Sequence, residues 1–217
     1  MKKQEIALEA VRRLEELYPD ALCSLEAEEP YRLLIAVRLA AQCTDERVNK
    51  ITEILFDRFP TLQSLADAEV EEIAEIVKPC GLFRTKARDI SALCKILFYE
   101  RGGLVPDTIE ELCKLPGVGR KTANLIVGDV YGKPAVVVDT HCIRITNRLG
   151  LVAEKDPTKI EHQLRKLLPP EKSNDFCHRI VLFGRDICSA RTKPFCDRCP
   201  LQDICQHYST GKGDTRK

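Results

Sequence analysis

One stretch of the chain, Ala135-Val136-Val137-Val138-Asp139, has the β-branched run of a strand, and no other stretch does. A lone strand has no partner to complete its ladder, so this run is expected to be an extended connector between helices. Elsewhere the apolar residues recur at helical spacing. Ala7, Val11, Leu14 and Leu17 set the pattern, and it continues over 30–42, 45–58, 69–77, 84–101, 107–114, 120–131, 157–168 and 173–187. Pro60, Pro79, Pro106, Pro116, Pro134 and Pro170 punctuate these segments, with Gly81, Gly117 and Gly132 at turns. The expected fold is all-α and two-lobed, with a cleft between the lobes. One domain of five or six helices spans 23–134, and the other is built from 1–22 and 135–217.

A chain of 217 residues, 44% hydrophobic and 31% charged, can bury one good-sized core or two small ones. It contains no apolar run long enough to span a bilayer, and its start, MKKQEIALEAVRRLEELYP, is charged and amphipathic where a secretory signal would be continuously apolar. The expectation is an intracellular monomer with no membrane partner. The net charge is only +1, so affinity for nucleic acid must come from local clusters and backbone donors. The polar tail STGKGDTRK is expected to be loose.

Seven of the eleven cysteines, Cys23, Cys43, Cys80, Cys94, Cys113, Cys142 and Cys177, are scattered through apolar helical sequence and suit small buried hydrophobes. The other four, Cys188, Cys196, Cys199 and Cys205, form a C-x7-C-x2-C-x5-C pattern. Structural zinc sites use two close-spaced pairs, whereas one pair flanked by single cysteines is nearer to the compact runs that hold cubane clusters. A [4Fe–4S] cluster is expected, with zinc as the alternative. Its role would be to shape a loop whose Arg191, Lys193 and Arg198 can meet phosphates.

The segment LCKLPGVGRKTANLIVG reads as a helix ending near Lys114, a turn through Pro116-Gly117-Val118-Gly119, and a second helix from Arg120. The glycines allow close backbone approach. The first amides of the second helix lack internal acceptors and so present donors to an anion such as a DNA phosphate. Lys121 falls on the first turn of that helix, where the dipole and Arg120 both disfavour a further positive charge, and a neutral amine is a nucleophile. Asp139 directly precedes another helix. It can serve as an N-cap and also face Lys121 across the cleft. An amine for covalent attack beside a carboxylate that moves protons is the pairing Schiff-base chemistry requires.

Together LPGVGRKTAN, VVVDTHCIRITNRLG, the four-cysteine segment, LLIAVRLAAQCTDERVNK and GLFRTKARDI resemble the endonuclease III family of helix-hairpin-helix DNA glycosylases and abasic-site lyases over nearly the whole chain. The resemblance implies double-stranded DNA carrying a damaged pyrimidine, such as thymine glycol, or an abasic site as substrate. It gives Lys121 the attack on the sugar carbon and Asp139 its activation. Gly117, Val118, Gly119 and Arg120 would grip the backbone, with His141 near a phosphate. Gln42 would fill the gap left by a flipped base and Leu82 would wedge into the stack. By their own chemistry Gln42 suits a solvated helix end, Leu82 a core position and His141 a packing residue. Two positions depart from the family pattern: the first cysteine interval has seven residues where six is usual, and Cys113 stands where relatives are often acidic. A monofunctional adenine glycosylase of the same fold fits less well, because it lacks the lysine and needs an acid on the helix where this chain has Arg38. A non-catalytic DNA-binding iron–sulfur protein is the remaining alternative.

Overall fold

The structure, a computed structural model, describes residues 1–21, 23–27 and 29–211. Among these residues it is helical with no strand. In chain order the α-helices are α1 (Lys3–Leu17), α2 (Pro30–Ala40), α3 (Asp45–Arg58), α4 (Leu62–Asp67), α5 (Val70–Val77), α6 (Phe83–Lys95), α7 (Ile109–Leu112), α8 (Arg120–Asp129), α9 (Thr140–Leu149), α10 (Pro157–Leu167), α11 (Ser173–Asp186) and α12 (Gln206–Ser209). None is long and apolar enough to cross a membrane.

The chain divides into two compact units, Cys23–Tyr131 and Met1–Leu22 with Gly132–Lys217. In the first, α2 is apolar on nearly every side, which forces it to the centre: Leu33, Leu34, Ile35, Ala36 and Leu39 are all buried. It packs on α3, α6 and α8, while α6 also packs on α4 and α5. Among its described residues this unit holds seven α-helices, and α4 is the one that falls in a gap of the apolar periodicity. It is six residues long and starts on a reciprocal cap, in which Thr61 Oγ1 accepts from Ser64 N and Ser64 Oγ accepts from Thr61 N, each at 3.1 Å.

In the second unit the apolar stripe of α1, with Ala7, Ala10, Val11 and Leu14 buried, packs on α11, which also packs on α9. Ion pairs fasten the edges of α1: Glu15 meets Lys172 at 2.5 Å, and Arg13 meets Asp203 at 2.5 Å while donating to the Pro200 carbonyl at 2.6 Å. The Ala135–Val138 run joins α8 to α9 as a buried connector, neither helical nor paired to a strand. Of the polar tail, Ser209 closes α12, and residues 212–217 lie outside the described set.

Candidate active site and cysteine centre

The hairpin is built by local turn chemistry. Thr108 caps α7 by accepting from Glu111 N at 3.4 Å, and the exit from α7 is closed by Leu115 N donating to Leu112 O at 3.0 Å. Val118 N then donates to Leu115 O at 3.2 Å, with the valine side chain buried. Val118 is thus an anchor of the turn, and neither its side chain nor its engaged amide faces outward. Gly117 has φ +71°, and a Cβ there would lie 2.8 Å from Arg38 Cδ and Nε and 3.0 Å from Asp89 Cβ. Arg38 and Asp89 form a largely buried ion pair at 2.7 Å directly under the turn. Gly119, by contrast, has an ordinary φ of −92° and open space where a Cβ would stand.

The first helical bond out of the turn runs from Ala123 N to Gly119 O at 2.9 Å, so the amides ahead of it point out of the start of α8. From Ala123 to Gly128 every residue of α8 is buried, which leaves Lys121 as the exposed side chain of its first turn. Within its own unit Lys121 makes no hydrogen bond or ion pair.

Asp139 belongs to the other unit and is the N-cap of α9: its Oδ1 accepts from Cys142 N at 2.8 Å. Its residue is half-buried, and Oδ2 has no hydrogen-bond partner within that unit. Cys142, Ile145, Thr146 and Leu149 form the buried face of α9, while Arg144 and Arg148 extend from another face. His141 packs over Gly184 of α11: a Cβ at Gly184 would stand 2.3 Å from His141 Nδ1, which also lies 3.2 Å from Arg144 Nη2.

Gln42 and Leu82 share a property the sequence does not reveal. They are the two non-glycine residues with positive φ among those described, +59° and +49°. A left-handed L-residue costs about 1–2 kcal/mol, so both loops are held against local preference. Both side chains project to solvent, Leu82 at 57% exposure, which excludes it from the core.

Cys188, Cys196, Cys199 and Cys205 line one pocket together with Ile145, Leu149, Phe183 and Leu201. Burial pushes the Cys199 thiol up to about 11, and crowding by Cys188, Cys205 and Cys196 pushes the same way. Cys196 and Cys205 are raised by the same causes, burial first. Thiolates so placed need a cation among them. Arg148 Nη1 donates to Cys188 Sγ at 3.0 Å, Cys205 Sγ donates to Arg148 O at 3.5 Å, and Arg144 Nη2 donates to Cys188 O at 3.0 Å. No three His, Cys, Asp or Glu side chains among the described residues converge tightly enough for a single metal ion. Four thiols lining one pocket are a donor set that an iron–sulfur cluster takes. Arg191, Lys193 and Arg198 on the intervening loop are exposed, with Arg198 stacked 4.1 Å over Phe195.

Residues 35–170 match the HhH-GPD superfamily, described as base excision DNA repair proteins. The chain is 45% identical over 204 residues to endonuclease III of Synechocystis sp., covering 94% of this chain and 93% of that one. It is 39% identical to endonuclease III of Bacillus subtilis, covering 95% and 93%. It superposes with a TM-score of 0.90, at 40% identity and 98% and 99% coverage, on the structure of a trapped endonuclease III–DNA covalent intermediate. By sequence and by fold alike, this chain belongs to the endonuclease III family of the HhH-GPD superfamily.

Proposed function

We propose that this protein is an intracellular base-excision repair enzyme. It acts as a monomer, removing oxidised pyrimidines such as thymine glycol from double-stranded DNA and cleaving the abasic site that remains. The observation that carries this reading is Lys121, an exposed lysine without a partner in its unit, on the first turn of a helix whose preceding glycine turn can hold a phosphate. The amides at the start of α8 and Arg120 fix the backbone without reading sequence. The damaged nucleotide leaves the stack, Gln42 occupies its place, and Leu82 wedges into the duplex.

The Lys121 amine attacks the sugar C1′, and the bond from C1′ to the base breaks, with the electron pair leaving on the base, which takes up a proton. Asp139, through its free Oδ2, accepts the proton lost by the amine or stabilises the positive charge developing on the sugar. Ring opening gives an imine between Lys121 and C1′. Loss of a C2′ proton then expels the 3′ phosphate, cutting the strand, and water releases the lysine. His141 would lie near a backbone phosphate from its place over Gly184.

Cys188, Cys196, Cys199 and Cys205 would hold a [4Fe–4S] cluster in the domain formed by 1–22 and 135–217. When bound, the cluster supplies shape to the loop carrying Arg191, Lys193 and Arg198 and takes no part in bond making. The decisive test is borohydride trapping on an abasic duplex: the wild type forms a covalent adduct and Lys121→Ala forms none. A wild type without adduct, or an adduct with Lys121→Ala, overturns the mechanism.

A further inference from the structure

Lys86, on the first turns of α6, is fully buried although it is a lysine, and no carboxylate pairs with it. Its Nζ donates to three backbone carbonyls, Leu39 O at 2.8 Å, Ala41 O at 2.7 Å and Cys80 O at 2.8 Å. Only the ammonium form has three protons to give, so the three acceptors define its charge state and leave it fully satisfied. Burial pulls the ammonium below the ordinary lysine range, while the Cys80 and Cys43 thiols pull the other way. An unpaired buried charge is costly, and it is retained where geometry demands it.

The identity of the acceptors supplies that reason. Leu39 lies in the last turn of α2 and Ala41 is its C-cap, immediately before Gln42, and Cys80 stands two residues before Leu82. The Lys86 amide itself donates to Leu82 O at 3.0 Å. One side chain therefore ties together the entrances to both loops whose backbones are forced into the left-handed region. We infer that Lys86 is a positioning residue that staples the Gln42 and Leu82 loops into one rigid lesion-probing device, fixing the two probes relative to each other. This inference rests on the proposed insertion of Gln42 and Leu82 into DNA.

The test compares single-turnover base excision on a thymine glycol in a fully paired duplex with the same lesion inside a short unpaired bubble, where extrusion needs no wedge. Lys86→Met is expected to lose at least about tenfold more rate on the paired substrate than on the bubble, matching Gln42→Ala and Leu82→Ala, since only the paired substrate must be unstacked. Added to Lys86→Met, those two substitutions should cost little more, because groups acting as a unit are not additive. Equal losses on both substrates, or full additivity, overturn the staple while leaving the probing reading intact. If Gln42→Ala and Leu82→Ala do not distinguish the substrates, the probing reading itself fails and the staple with it. Should Lys86→Met fail to fold, Lys86→Arg, which keeps the charge but not the three-bond geometry, gives the same ratio. If neither folds, native-state amide exchange of the wild type decides: the staple requires 42–44 and 81–84 to open in one step, and separate openings refute it.

Discussion

In the proposed mechanism Asp139 caps α9 with one oxygen and handles the proton with the other, and the substitutions that separate these roles differ by a single atom type. Asparagine caps a helix about as well as aspartate does, so Asp139→Asn should leave the thermal midpoint nearly unchanged while single-turnover excision falls by about 10²-fold or more, the range typical of a lost acid–base group. Asp139→Ala should add a loss of about 1 kcal/mol in stability because Cys142 N loses its acceptor. Thermal melts run beside single-turnover rates check both. Asp139→Asn retaining full activity would remove the carboxylate from the chemistry.

At the scale of an element, the hairpin offers two glycines that answer different questions. Gly117→Ala forces a Cβ into a positive φ and against the Arg38–Asp89 ion pair, and it should destabilise the free protein by about 1–3 kcal/mol. Gly119→Ala meets nothing and suits its φ, so the free protein should melt within about 0.5 kcal/mol of wild type. Its cost should appear in duplex binding, where a methyl group displaces the phosphate from the amides at the start of α8. A denaturant melt and a binding titration on undamaged duplex, run for both variants, would reveal an error if Gly119→Ala bound as tightly as wild type. Beneath α9 the close approach is of another kind: Gly184→Ser would push His141 and Arg144 off α11, weakening the hold of Arg144 on the Cys188 carbonyl.

Across the whole molecule, the four-cysteine loop is fastened to distant parts of its own unit. Arg13 of α1 holds Asp203 and the Pro200 carbonyl, and Arg144 and Arg148 of α9 hold Cys188. The same helix α9 is capped by Asp139. Removing the metal should therefore loosen α1 and α9 as well as the loop. Purified wild type should be brown, with about four iron atoms and four sulfides per chain. Cys199→Ala should be colourless and lose several kcal/mol of stability, because metal binding and folding are coupled in such sites. Hydrogen exchange should accelerate over 188–205 and along α9. A zinc-loaded, colourless wild type would overturn the cluster assignment, and unchanged exchange along α9 would break the link from cluster to Asp139.

Whatever depends on near neighbours along the chain was legible in the residues alone. Apolar spacing defined the helices and left Ala135–Val138 as an unpaired connector. Proline and glycine chemistry defined the hairpin, and an aspartate before a helix defined the cap at Asp139. The short α4, whose signal is a reciprocal cap with little periodicity, was not legible, because six residues span too few turns to show a stripe. The remainder came from long-range packing. It placed Leu82 in solvent where its apolar character suggests a core, and it turned Val118 inward. It gave Gln42 and Leu82 left-handed backbones, put Arg38 and Asp89 under Gly117, and buried Lys86 against three carbonyls from two other segments. The Arg38–Asp89 bond spans 51 residues and the three acceptors of Lys86 lie 6 to 47 residues from it; a side chain's burial and a residue's φ are set by what packs against them, which local propensity does not encode.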